Sequence, residues 1–96
     1  MEFAVIAHDY KDKKALERRL AVRKKHLEYA SKMFNQGKWL FASALLDEEG
    51  QMNGSIIFCN YGSEDALRKE WLENEAYIVG KVWEKIIIRK AKVAKH

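Results

Sequence analysis

The run WLFASALLDEEGQMNGSIIFCN, Trp39 to Asn60, decides the architecture. Trp39 to Leu46 and Ser55 to Asn60 are short apolar runs, and Asp47 to Gly54 between them holds two glycines and a cluster of polar residues. Apolar runs parted by such a cluster predict a β-hairpin, with a loop longer than the tight two-residue kind. On the N-terminal side, Lys13 to Gln36 places Leu16, Leu20, Leu27, Ala30 and Phe34 at helical spacing, and Asn35-Gln36-Gly37 supplies the stop. Ahead of that helix, Glu2 to Asp9 reads as a buried strand leading into the polar turn Asp9-Tyr10-Lys11-Asp12. On the C-terminal side, Ser63 with Glu64 and Asp65 marks a helix start, because a hydroxyl caps free amides and acids suit the positive end of the helix. That helix carries Ala66, Leu67, Trp71 and Leu72 and is expected to end near Asn74; Lys81 to Arg89, with Val82, Ile86 and Ile88, is the fourth strand. The order βαββαβ predicts an α+β, ferredoxin-like domain: a four-stranded antiparallel sheet, two helices on one face, the other face left for a partner.

At 96 residues the chain makes one domain, spanning 1–96, and 48% hydrophobic with 33% charged residues excludes a disordered chain. A domain this small needs a disulfide, a metal or self-association. Cys59 is the single cysteine and the three histidines show no paired ligand spacing. No metal or cofactor is therefore expected, and a homodimer is. The net charge of +4 arises from 18 basic residues interspersed with 14 acidic ones, which predicts a mixed solvated surface and no nucleic-acid partner. The basic end, Arg89 to His96, has no interleaved aromatics for base stacking and reads as a solvated tail. Met1 to Ala7 is too short for a signal core and no run is long enough to span a bilayer, so a cytoplasmic protein without a membrane partner is expected.

The first helix carries the chemistry. Arg19, Arg23 and His26 project within about 60° of one another at about 100° per residue, on the flank of the Leu16/Leu20/Leu27 stripe. Two readings fit: arginine stems lying along apolar surface with their heads in water, or cations converging on a pocket that holds a carboxylate or phenolate. Asp9 shares the side-chain parity of Phe3, Val5 and Ala7, which directs it toward the helices. Beside His26 it would fix the imidazole tautomer for acid/base work. Beside Arg19 or Arg23 it would form a structural ion pair. Spacing leaves both open. His8 has the opposite parity, Cys59 reads as a small buried hydrophobe, Asp47-Glu48-Glu49 as a hairpin tip, and Trp39, Trp71 and Trp83 as core or interface.

The stretch Arg19-Leu20-Ala21-Val22-Arg23-Lys24-Lys25-His26-Leu27 resembles the R-L-x-x-R-x-x-H-L signature of the YCII-related family, with Asp9 at that family's aspartate after the first strand. Leu40 to Gly50 is similar to its second strand and acidic-glycine turn, and Glu75 to Trp83 to its D/E-P-Y-V-x-G-x-V-W segment, so the likeness spans nearly the whole chain. The resemblance implies a dimeric α+β barrel, in which the sheets of two subunits pack together, and a pocket centred on His26 and Asp9. Relatives include a dehydrochlorinase, and the fold is shared with muconolactone isomerase. The implied activity is proton movement on a small aromatic or enol-type anion, with lyase or isomerase outcome: His26 and Asp9 catalytic, Arg19 and Arg23 binding substrate. The alternative is a non-catalytic dimer that holds a small anion. Ser43-Ala44 replaces the family's usual Gly-Pro, Ala76 its proline before tyrosine, and Lys90-Ala91 a frequent Pro-Phe. Ser43 is thereby expected to narrow the pocket or add a hydroxyl to it.

Overall fold

The computed structural model describes residues 1–95; His96 lies outside them. The elements are β1 (Glu2–Asp9), α1 (Ala15–Asn35), β2 (Trp39–Leu46), β3 (Met52–Asn60), α2 (Glu64–Glu70), a 3-10 turn (Leu72–Asn74), α3 (Ala76–Val79) and β4 (Trp83–Ala91). The strands form one antiparallel sheet in the order β2-β3-β1-β4, the ferredoxin-like arrangement. β1 lies at the centre, where Val5 faces Ile57 on one side and Ile88 on the other. Its alternation sends Phe3, Val5, Ala7 and Asp9 under the helices, where all four are buried.

Local chemistry sets the boundaries. Gly37 takes the left-handed conformation (φ 73°) that ends α1, with its amide donating to the Phe34 carbonyl. The Asp47 side chain accepts from the amides of Glu49 and Gln51, both at 2.9 Å, which closes the hairpin tip. Ser63 Oγ accepts from the Ala66 amide and caps α2. The expected helix from Ser63 to Asn74 is in fact broken after Glu70 into α2 and the 3-10 turn. A second cap follows, in which the Glu75 side chain accepts from the Tyr77 amide and starts α3. α3 sits tight on α1: a Cβ on Gly80 would meet the Ala76 carbonyl oxygen at 2.9 Å and a Val22 methyl at 3.2 Å. The close approach of α3 to α1 brings Glu75 and Tyr77 into the core.

One sequence expectation is reversed. Of the anticipated core stripe only Ala30 is buried, whereas Leu20, Leu27 and Phe34 are 55%, 47% and 41% exposed. α1 instead turns Ala15, Arg19, His26, Ala30 and Met33 inward, a face roughly 100° around the helix from the leucines. The charged groups enter the interior because each finds a partner there, as buried polar groups must. On the opposite side of the sheet Ile6, Ile56, Phe58 and Ile87 are half-buried and Phe41 is exposed. No helix among the described residues is long and apolar enough to cross a membrane.

Candidate functional site

A cavity of about 260 Å³ lies between α1 and the β2–β3 side of the sheet. Arg19, Arg23 and His26 reach it from α1, Ser55 and Ile57 from β3, and Tyr77 from α3. Leu27, Phe34 and Met52 supply its apolar wall.

Arg19 and His26 are seven residues apart, two helical turns, and therefore share a face. Each meets a different carboxylate. Arg19 Nη1 donates to both oxygens of Asp9 at 2.9 and 3.0 Å, and its Nη2 donates to Ser55 Oγ at 2.9 Å. Trp83 Nε1 also donates to that hydroxyl, at 3.2 Å. Both side chains of the Arg19–Asp9 pair are 3% exposed. Burial pushes the Asp9 carboxyl above its ordinary value, and the adjoining guanidinium pulls against it.

His26 has another partner. Its Nδ1 lies 2.6 Å from Glu75 Oε1, and Glu75 is almost wholly enclosed. The carboxylate also accepts from Trp71 Nε1 at 2.6 Å, on Oε2, and from the Tyr77 amide at 3.1 Å, on Oε1. With three groups directed at it, Glu75 is fitted to remain an acceptor, so Nδ1 carries the proton of that hydrogen bond. Nε2 is left over: it makes no hydrogen bond among the described residues, and it is not among the enclosed partnerless atoms there, which are Arg19 Nε and Trp39 Nε1. It therefore opens to the cavity that His26 lines. The imidazole stacks on the Tyr77 ring, with centroids 4.0 Å apart and planes 15° apart, which fixes its orientation.

The sequence-derived residues accordingly separate. His26, Arg19 and Arg23 converge on the cavity, while Asp9 points inward as expected but is taken by Arg19 and does not line it. The histidine's carboxylate is Glu75, a correction whose cause is distance along α1: Asp9 meets the N-terminal half of the helix and His26 sits two turns further on. Ser43 borders the cavity, yet its register partner is Ile56 on the outer face, whereas Ala42 and Ala44 pair with Ile57 and Ser55 on the inner one. Side-chain alternation thus turns the Ser43 hydroxyl away, and the serine hydroxyl that reaches the site is Ser55. Arg23 is exposed, borders the cavity and has no ion pair among the described residues. Glu75 and Tyr77 were missed as site residues. The available signal was an acid four residues after one aromatic and two before another, at a helix start. No cluster of three or more His, Cys, Asp or Glu among the described residues is arranged to hold a metal ion.

Comparison with known proteins bears on the fold and the family. No curated protein matches the sequence significantly. Among solved structures the chain is similar to the 5-chloro-2-hydroxyhydroquinone dehydrochlorinase of Burkholderia phenoliruptrix, solved in complex with 2,5-dihydroxybenzoquinone: TM-score 0.83, 19% identity, 98% of this chain and 96% of that one covered. It is also similar, more distantly, to protein Atu4242 of Agrobacterium tumefaciens: TM-score 0.53, 14% identity, 99% and 95% covered. At these identities the likeness is one of fold. The YCII-related domain matches residues 1–92, nearly the entire chain, and the protein belongs to the YCII-related family.

Proposed function

We propose that this protein is a cofactor-independent enzyme that moves a proton on a small aromatic or enol-type anion, with lyase or isomerase outcome. The observation that carries the reading is the buried His26–Glu75 pair at 2.6 Å, with Nε2 open to the cavity. When the ring is neutral, Nε2 has a lone pair and takes a proton from substrate. The imidazolium so formed is stabilised by Glu75, and Nε2–H then returns the proton at the next step. Arg23, which has no ion pair among the described residues, attracts the anionic substrate and offsets negative charge developing on oxygen. Arg19 is committed to Asp9 and Ser55 and acts as scaffold.

The ligand class follows from the similar dehydrochlorinase and its dihydroxybenzoquinone ligand. The decisive experiment incubates wild type and His26→Gln with chlorinated hydroxyquinols and enol-lactones and follows products by chromatography. Turnover by wild type with at least a 100-fold loss in His26→Gln supports the enzyme; full turnover by the variant removes His26 from the mechanism. A second reading, a non-catalytic anion-binding protein, rests on the engagement of Asp9 by Arg19. It predicts saturable thermal shifts with ligand recovered unchanged.

We further propose that the protein acts as a homodimer through the apolar face of Ile6, Ile56, Phe58 and Ile87, the sheet surface that no helix covers. Light scattering of wild type and Phe58→Lys checks this, with the variant expected to be monomeric.

A further inference from the structure

Tyr77 is 1% exposed, and its phenol stands among polar groups that are nearly all paired. Its hydroxyl makes no hydrogen bond among the described residues, yet it is not one of the enclosed atoms left without a partner there, which are Arg19 Nε and Trp39 Nε1. The residue lines the cavity. The small area Tyr77 exposes therefore includes its oxygen, and that oxygen faces the cavity. A hydroxyl that the protein leaves unpaired at a cavity wall is available to a bound ligand.

The surroundings hold the ring firmly. The imidazole of His26 stacks at 4.0 Å, and the guanidinium carbon of Arg19 lies 4.6 Å from the same ring centroid. Arg19 and His26 are about 10 Å apart along α1, so the ring occupies the space between them. Backbone hydrogen bonds fix its base: the Tyr77 amide donates to Glu75, and its carbonyl accepts from the Val82 amide at 2.8 Å. Burial raises the phenol pKa above its ordinary value, with Arg19 and Arg23 opposing, so the group carries its proton at neutral pH and is a donor. A fixed, protonated donor that shares the cavity with His26 and the Arg23 cation is complementary to an acidic oxygen on a flat ring.

We propose that the Tyr77 hydroxyl is a ligand-binding donor that holds an enolate or phenolate oxygen of the substrate in this cavity. The proposal rests on the reading of the cavity as the substrate site and adds to it the group that recognises the substrate's oxygen. The donor hydrogen bond orients the ring against Leu27 and Phe34 and shares the oxygen's charge with Arg23.

The test measures binding of 2,5-dihydroxybenzoquinone by calorimetry to wild type, Tyr77→Phe and His26→Gln, with benzoate as a carboxylate control. Tyr77→Phe keeps the ring, the stacking and the cation contact and loses no protein hydrogen bond, so its melting temperature should match wild type. Binding of the quinone should weaken about 10- to 100-fold, the loss expected for one hydrogen bond to a charged oxygen, while benzoate binds no more tightly than the quinone does to the variant. Equal quinone affinity in wild type and Tyr77→Phe would overturn the role of the hydroxyl. It would leave the His26 reading to be decided by the separate turnover assay on His26→Gln. Absence of saturable quinone binding by wild type would overturn the ligand class and the proposal together.

Discussion

α1 carries two buried pairs that look alike and behave differently. At the N-terminal half, Arg19 meets Asp9; two turns further on, His26 meets Glu75. Both join a nitrogen-bearing side chain of α1 to a carboxylate from a neighbouring element, and both are almost sealed from water. The first is spent within the protein, since two of the three guanidinium nitrogens are bonded and the third, Nε, faces no acceptor. The second uses one nitrogen for the carboxylate and leaves the other open to a cavity. Burial of charge alone therefore does not mark a candidate site. What marks one is a buried titratable group with a second hydrogen-bonding position left over for a cavity.

Breaking the closed pair should have the largest effect. Arg19→Met strands the Asp9 carboxylate beneath α1, and the expected loss is about 3–5 kcal/mol of folding stability. That is a large share of what a domain of this size has. Urea unfolding followed by Trp fluorescence measures it. The double variant Arg19→Met/Asp9→Leu should recover most of the loss, because removing both charges removes the stranded one.

Breaking the open pair should act on turnover instead. His26→Gln is expected to lower kcat by about 10²- to 10⁴-fold and Glu75→Gln by a smaller factor, with Asp9→Asn altering kcat only as far as it disturbs the fold. Steady-state kinetics on the substrate found by product analysis separate the three. A kcat as low in Asp9→Asn as in His26→Gln would return to Asp9 the partner role proposed for Glu75.

Much of the sheet was legible because its signal is parity. Phe3, Val5, Ala7 and Asp9 alternate as buried positions should, and glycines and capping side chains punctuate the loops. Helix orientation was harder. The leucine stripe is the strongest periodic signal in α1, yet the buried face is the one carrying Arg19 and His26. Hydrophobic periodicity scores a charge as surface and has no means of knowing that Asp9, Ser55 and Glu75 wait across the interface. The same blindness hid Glu75, whose partners Trp71 and His26 become neighbours only after α3 docks on α1. Position on the helix face located His26; its carboxylate had to come from tertiary structure.

A third contrast lies in Cys59, buried without a charged partner. Burial pushes its thiol up to about 12, from 9.0. An acid whose folded pKa is raised stabilises the fold fully below its unfolded pKa, and that contribution is lost as pH rises toward the folded value. The buried phenols of Tyr61 and Tyr77 shift in the same direction. Stability should hold up to about pH 9 and fall beyond it, with Cys59 accounting for about 2–3 kcal/mol by pH 11. Urea midpoints at pH 8, 9, 10 and 11 for wild type and Cys59→Ala check this, the variant showing the shallower decline. The native thiol should also resist alkylation at pH 8 and react on unfolding.

The smallest effect sharpens the comparison most directly, because it sets the two faces of α1 against each other. Leu20 belongs to the leucine stripe that periodicity assigns to the core, and it is 55% exposed; Met33 belongs to the inward face and is 5% exposed. If burial governs, Leu20→Gln shifts stability by no more than about 0.5 kcal/mol, whereas Met33→Ala costs about 2–5 kcal/mol through lost contacts and the cavity left behind. Urea unfolding of both variants at low micromolar concentration reads the difference. A large loss at Leu20 would mean that the leucine stripe is covered in solution, and repeating the measurement across a tenfold range of protein concentration would say whether a second copy covers it.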